Sequence, residues 1–256
     1  MRKISAKTTT YARTEYLEEA IYSFINQKEL GEDEMIIVND YPLQKLIFDH
    51  PNVKIFNLED TFKTIGEKDN FAVQQASGEI IATWDDDDVY MPNHLQNIRS
   101  YFTEDANMLH WKGVYYNEPD ELAITGIGNS GMVYSKKAWE NVHFHPIMNA
   151  GGDSVFSQKV HVLGNIVQAH PPDEEVSAWY RWRGASGNGI YHQSGQGFDD
   201  GTKPNIIERH SAHIEYLRQK GKIPTGEIHL NPHWRKPYDE MLKNYINDKQ
   251  TKKSRI

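Results

Sequence analysis

The sequence predicts an α/β fold built on a mainly parallel sheet flanked by helices. Three observations carry this. Over the first hundred residues, short apolar runs of the buried-strand kind alternate with amphipathic helical stretches. Two polar stretches, Asn39-Asp40 and Asp85-Asp86-Asp87-Asp88, each follow such a run, where open α/β sheets bind ligands. The 256 residues suffice for one such domain with a sizeable core, or for one domain plus a tail.

The first strand is expected at residues 3–8, although it is unusually polar. Residues 15–27 read as a helix, with Tyr16, Leu17, Ala20, Ile21, Phe24 and Ile25 at helical spacing and Thr14 as its cap. Strands are expected at 34–38, 53–56 and 79–84, and a helix at 69–76 that stops at Ser77-Gly78. Pro92 opens a further helix that runs to about Phe102. Beyond it the pattern is less regular, with strands at 109–115, 131–134 and 178–182 and a helix at 154–163. Residues 184–201 are rich in Gly, Ser, Asn and Gln and are expected to form a long, flexible loop. Helical pattern returns at 206–219 and 238–245. The expected organisation is a first half over 1–103, a second over 104–215, and a basic helical tail over 216–256.

Composition narrows the class. A hydrophobic share of 38% and a charged share of 25% favour a globular chain over a disordered one. No apolar run approaches the roughly 18 residues needed to span a bilayer. The opening residues lack the apolar stretch of a signal peptide. There is no cysteine, so disulfides and thiolate metal sites are excluded. These features favour a cytoplasmic protein. The net charge of -8 is uneven: from Tyr216 onward ten Lys/Arg face four Asp/Glu. Such a tail suits an anionic surface or partner, and a solvated, partly frayed end suits it equally.

Four adjacent carboxylates repel one another, so they are either all solvated or gathered around a cation. The preceding Ile80-Ile81-Ala82-Thr83-Trp84 is apolar enough for a core strand, and the following Val89-Tyr90-Met91-Pro92 is no solvated acidic tail. An acidic cluster at a strand end suits Mn²⁺ or Mg²⁺, held by one or two carboxylates and by substrate phosphates. Its task would be to neutralise a departing diphosphate.

Residues 9–21, Ile36-Ile37-Val38-Asn39-Asp40 and residues 76–88 resemble family 2 glycosyltransferases of the GT-A fold, in order and spacing as well as in content. The resemblance is good over residues 3–103 and patchy to about 195. It implies a GT-A-like, Rossmann-type sheet with a smaller acceptor-side region. It also implies inverting transfer from a nucleotide-diphosphate sugar, by family default a UDP-sugar, to an acceptor hydroxyl. Carried over by position, the nucleotide-sugar contacts are Thr9, Tyr11, Arg13, Asp40, Lys68, Asn70, Asp85 and Asp86. Asp87 becomes the leading metal ligand, with Asp85 beside it directly or through water. The family takes its catalytic base from a Glu-Asp pair at a helix start, which here is Gly152-Asp153, so Asp153 is the candidate base. Aspartate at a helix start is also a common cap. His192 falls where GT-A enzymes bring a late histidine to the metal or diphosphate. His143 and His145 would share a strand face, but no nearby carboxylate completes a metal site with them.

The departures are Gly152 for the family's Glu, Asn39 for an Asp, and Ala178 for the Gln before Arg181-Trp182. The last argues against a processive polysaccharide synthase. Two alternatives stay open: a catalytically degenerate nucleotide-sugar-binding protein, and a metal-dependent nucleotidyltransferase. The latter lacks its basic, Gly-rich loop at Thr8-Thr9-Thr10-Tyr11. The acceptor is open among a glycan, a lipid-linked sugar, a protein and a modified nucleic-acid base.

Overall fold

A computed structural model describes residues 2–117, 121–148, 151–182 and 206–253. The first half runs β1 (Ile4–Thr10), α1 (Thr14–Ile25), β2 (Glu34–Asn39), β3 (Gln44–Ile47), β4 (Val53–Asn57), α2 (Ile65–Gln75) and β5 (Ile80–Thr83). After it come β6 (Val89–Tyr90), α3 (His94–Tyr101), β7 (Met108–Asn117), β8 (Glu121–Gly126), β9 (Val133–Ser135) and α4 (Lys136–Asn141). The chain continues with α5 (Gly152–Leu163), β10 (Ile166–Ala169), β11 (Ala178–Trp182), α6 (Ile206–Gln219), β12 (Gly226–His229) and α7 (Tyr238–Lys253).

The large sheet has the order β4-β2-β1-β5-β9-β7-β11-β6, with β8 and β10 also paired to β7. Its first four strands are parallel, whereas β9 runs antiparallel to both β5 and β7. Every residue of β2 is buried, as expected of an interior parallel strand. Met35 and Ile37 face the layer of α1 and α3, while Ile36 and Val38 face the layer of α2, α4 and α5. That alternation puts helices on both faces and sends β1 and β5 side by side to the cavity.

Three local expectations change. The α1 cap is Arg13 and not Thr14, which is the first helical residue. Helix α2 starts at Ile65, four residues ahead of the expected start, because Thr64 and Glu67 close a capping box. The C-terminal stretch is built into the body and is no frayed tail. Its β12 pairs in parallel with β3, α6 covers Tyr41 through Ile214 and Leu217, and α7 buries Tyr238 and Leu242. Part of its positive charge is taken up by ion pairs of Arg218 with Glu215, Arg235 with Glu15 and Lys249 with Asp173. Among the described residues, no helix is long and apolar enough to cross a membrane.

Candidate active site

The site forms where β1 and β5 end. The two strands pair with Lys7 opposite Thr83, so Lys7 and Thr9 share a face with Thr83 and Asp85. The opposite face carries Ala6, Ala82 and Trp84 into the core. Trp84 anchors the strand end: its ring stacks on Tyr90 at 4.1 Å, its Nε1 donates to Ala20 O, and its carbonyl accepts from Thr8 Oγ1. The Tyr90 hydroxyl donates to Thr83 O at 3.2 Å and accepts from the Asp85 amide at 3.1 Å. The acidic run therefore leaves the sheet as a pinned turn.

Its four carboxylates have four different environments. Asp85 is half-buried and lines the cavity. Asp86 is 1% exposed and meets Nε and Nη2 of the Arg13 guanidinium, with Nε 3.0 Å from its Oδ2. Asp87 accepts from Arg13 Nη1 at 3.0 Å and also lines the cavity. Asp88 is buried beneath the turn, where it accepts from Ser130 Oγ at 2.5 Å and from the Arg181 amide at 2.8 Å. Burial, together with Asp87 and Asp85, pushes Asp88 well above the ordinary carboxylate range. Burial also pushes Asp86 up, against the pull of Arg13. For Arg13 itself burial opposes the charge, but Asp86, Asp87 and Asp85 outweigh it and raise its pKa.

One cavity of about 420 Å³ gathers Thr9, Arg13, Asp85, Asp87 and Asp153 of the expected residues. Asp153 stands exposed in the first turn of α5, and the cap position belongs to Gly151 at φ 67°, so the capping role for Asp153 is not realised. A Cβ on Gly152 would meet Met148 Cγ at 3.3 Å, so a side chain there would need that methionine to shift by a few tenths of an ångström. Asn129 and Ser130 line the same cavity, as does Tyr180, whereas Trp179 is buried in the core.

Other expected contacts lie outside its walls. Asp40 is buried in an ion pair with Lys68 and accepts from the Phe62 amide. Lys68 also donates to Thr10 O at 2.6 Å, and burial lowers its pKa against the pull of Asp40. Tyr11 meets Tyr41 edge-on at 4.9 Å, beside the apolar residues of α6. Asn70 is spent on scaffolding: its Oδ1 accepts from Trp139 Nε1 and the His145 amide, and its Nδ2 donates to His145 O. His143 sits in a left-handed turn at φ 59°, and His145 is buried against the Tyr134 hydroxyl, so the two share no strand face. His192 and the loop 184–201 lie outside the described residues.

Sequence reasoning missed Lys7 and Asp69. Lys7 is 5% exposed in the middle of β1, its Nζ is 2.5 Å from Asp69 Oδ1, and both line the cavity. The signal was present as a lysine inside a strand that otherwise had to be buried.

A profile of glycosyl transferase family 2 matches residues 5–161, more than half of the chain. The chain belongs to glycosyl transferase family 2. It is 34% identical over 113 residues to the uncharacterized glycosyltransferase YwdF of Bacillus subtilis (strain 168), a match covering 42% of this chain and 41% of YwdF. The chain thus spans about two-fifths of that relative. Among solved structures, S. aureus TarS 1-349 in complex with UDP-GlcNAc is similar at a TM-score of 0.57 and 16% identity, covering 96% of this chain and 72% of that one. The mannosyltransferase PcManGT of Pyrobaculum calidifontis, in complex with GDP-Man and Mn2+, gives 0.55 and 15%, covering 84% and 70%. These likenesses establish the family's GT-A fold for this chain.

Among the described residues, no three His, Asp or Glu side chains converge on one point. Two carboxylates on a cavity wall, Asp85 and Asp87, still fit a hard cation that shares its shell with phosphate oxygens.

Proposed function

We propose that the chain is a glycosyltransferase that moves a sugar from a nucleotide-diphosphate sugar, a UDP-sugar, to an acceptor hydroxyl with inversion. The observation that carries this is the shared cavity: the acidic turn after β5 and Asp153 at the start of α5, far apart in sequence, face one space. Mn²⁺ or Mg²⁺ held by Asp87 and Asp85 would neutralise charge on the departing diphosphate. Arg13, fixed against Asp86 and Asp87, sets the field at that wall. Asp153 takes the proton of the acceptor hydroxyl as its oxygen bonds the anomeric carbon. The bond from that carbon to the diphosphate breaks on the opposite face, and the diphosphate leaves with the electron pair. Met148 and Pro146 beside Asp153 border the acceptor side.

UDP as the nucleotide rests on family habit and on the UDP-GlcNAc named for the TarS complex. The acceptor is a glycan, lipid-linked sugar, protein or nucleic-acid base. The excess of basic residues from Tyr216 onward, ten Lys/Arg against four Asp/Glu, suits an anionic partner.

The test is a screen of nucleotide sugars for nucleotide release with and without Mn²⁺. Asp87→Ala should abolish metal-dependent release in a folded protein. Undiminished release by that variant removes Asp87 from the reaction, and pyrophosphate as the product would mean nucleotidyl transfer.

A further inference from the structure

A lysine at the centre of an interior strand needs a reason. Lys7 is flanked along β1 by buried Ala6 and Thr8, and β1 lies between β2 and β5. An unpaired ammonium there would be strongly disfavoured. Asp69 on α2 supplies the counter-charge through the 2.5 Å contact, and its side chain is 16% exposed. Burial pushes the Asp69 carboxyl up, but Lys7 and its neighbours outweigh burial and hold it below the ordinary value. Nearby His145 is kept neutral, pushed down to about 3 by burial, so it does not compete for the carboxylate.

The pair is not sealed in the core. Both residues line the cavity that holds Asp85, Asp87 and Asp153. Asp69 Oδ1 is the acceptor used by Lys7, and among the described residues no hydrogen bond occupies its Oδ2. Lys7 likewise makes one such bond, which leaves two ammonium protons to offer. The cavity wall therefore presents donor and acceptor side by side, with no net charge. A vicinal diol matches that arrangement: one hydroxyl donates to the carboxylate while the other accepts from the ammonium.

The reaction geometry says which molecule brings the diol. The transferred sugar is bonded to the diphosphate at the acidic turn and is attacked from the side of Asp153. Its ring must lie between them, in the space that Lys7 and Asp69 wall. We propose that the Lys7–Asp69 pair is the subsite that reads hydroxyl groups of the transferred sugar and selects a neutral sugar over a uronate. This rests on the nucleotide-sugar reading of the cavity.

The experiment compares UDP with UDP-glucose, UDP-galactose, UDP-N-acetylglucosamine, UDP-glucuronate and GDP-mannose. Calorimetry and nucleotide release are measured with Mn²⁺ on the full chain. In Lys7→Met/Asp69→Leu both charges go together, so no unpaired charge stays buried. Affinity for UDP should stay within about twofold, while kcat/KM for the preferred nucleotide sugar falls about 100-fold and sugar discrimination collapses. Lys7→Arg, which keeps the charge, covers the case in which the double variant does not fold. It should shift the ratio between the preferred sugar and its epimer by about tenfold or more. Discrimination unchanged in either folded variant, or a wild-type preference for UDP-glucuronate, overturns the subsite while the nucleotide-sugar reading stands. A wild-type protein that binds neither UDP nor any of these sugars overturns both.

Discussion

Glu19 joins α1 to β11 and α7, and its replacement by Ala is a sharp test of how the site is held. Its Oε2 accepts from Arg181 Nη1 at 2.9 Å, and its Oε1 accepts from the Tyr238 hydroxyl at 2.8 Å and the Arg235 amide at 2.9 Å. Glu19 and Arg181 are 1% and 3% exposed. Glu19→Ala removes the anion and takes from the buried Arg181 guanidinium the carboxylate that it meets at 2.9 Å. Breaking a buried pair by one partner costs about 3–5 kcal/mol. For a chain of this size that lowers Tm by about 6–20 °C. A urea titration followed by circular dichroism measures the loss, with the slope unchanged. Glu19→Ala/Arg181→Met should recover part of it, because the guanidinium then goes together with its carboxylate. A loss below about 1 kcal/mol for Glu19→Ala would refute the reasoning, since it would mean that water reaches Arg181 and solvates it.

Other outcomes follow from the same geometry. Asp153→Asn should keep donor binding within about twofold while transfer falls about 10²–10⁴-fold, measured by single-turnover transfer beside calorimetry. Transfer near the parent rate would place the base elsewhere. For Glu34, burial pushes the carboxyl up, but bonds from Lys54, Ser77 and Ser5 outweigh it and hold it at about 2. A depressed carboxylate stabilises the fold above its ordinary value of 4.5, and that share is lost as pH falls toward 2. Glu34→Gln should flatten stability over this range in acid titrations. Gly66→Ala would put a Cβ 1.9 Å from Pro146 O. It should cost about 1–3 kcal/mol in thermal melts and raise the acceptor KM by moving the loop that carries Met148. An unchanged melting curve counts against that close approach.

The N-terminal half was legible because its strands are local, apolar and punctuated. The runs before Asn39-Asp40 and before the acidic turn became β2 and β5 within a residue or two. The start of α2 was also written in the chain, as Thr64 and Glu67 three apart, but Ile65 and Gly66 do not announce a helix. Strands β3 and β12 were not legible. Each is four residues long, and neither has a partner nearby in sequence. At the site, the four aspartates identified the region but not the division of labour within it. That division depends on Arg13, Ser130 and the Arg181 amide, which reach the turn from three other segments. Asn70 and Lys68 were expected at the nucleotide from family position, which does not announce the partners they take within the fold: Trp139 and His145 for Asn70, and Asp40 for Lys68. Lys7 was passed over as a blemish in a strand, although a buried charge is itself a reason to look for its partner.

The pairing of β3 with β12 also sets a timetable. Gln44 Nε2 donates to Pro224 O across 180 residues of chain. A ribosome adding about 5–20 residues per second needs roughly 10–40 s to cover that distance. Through that interval the nascent β3 has an open edge, available to any passing strand. The edge beside Asn39 and Asp40 is thus closed by a segment made 180 residues later. Slow elongation lengthens this vulnerable interval, and holding the edge until β12 arrives is a task suited to a chaperone.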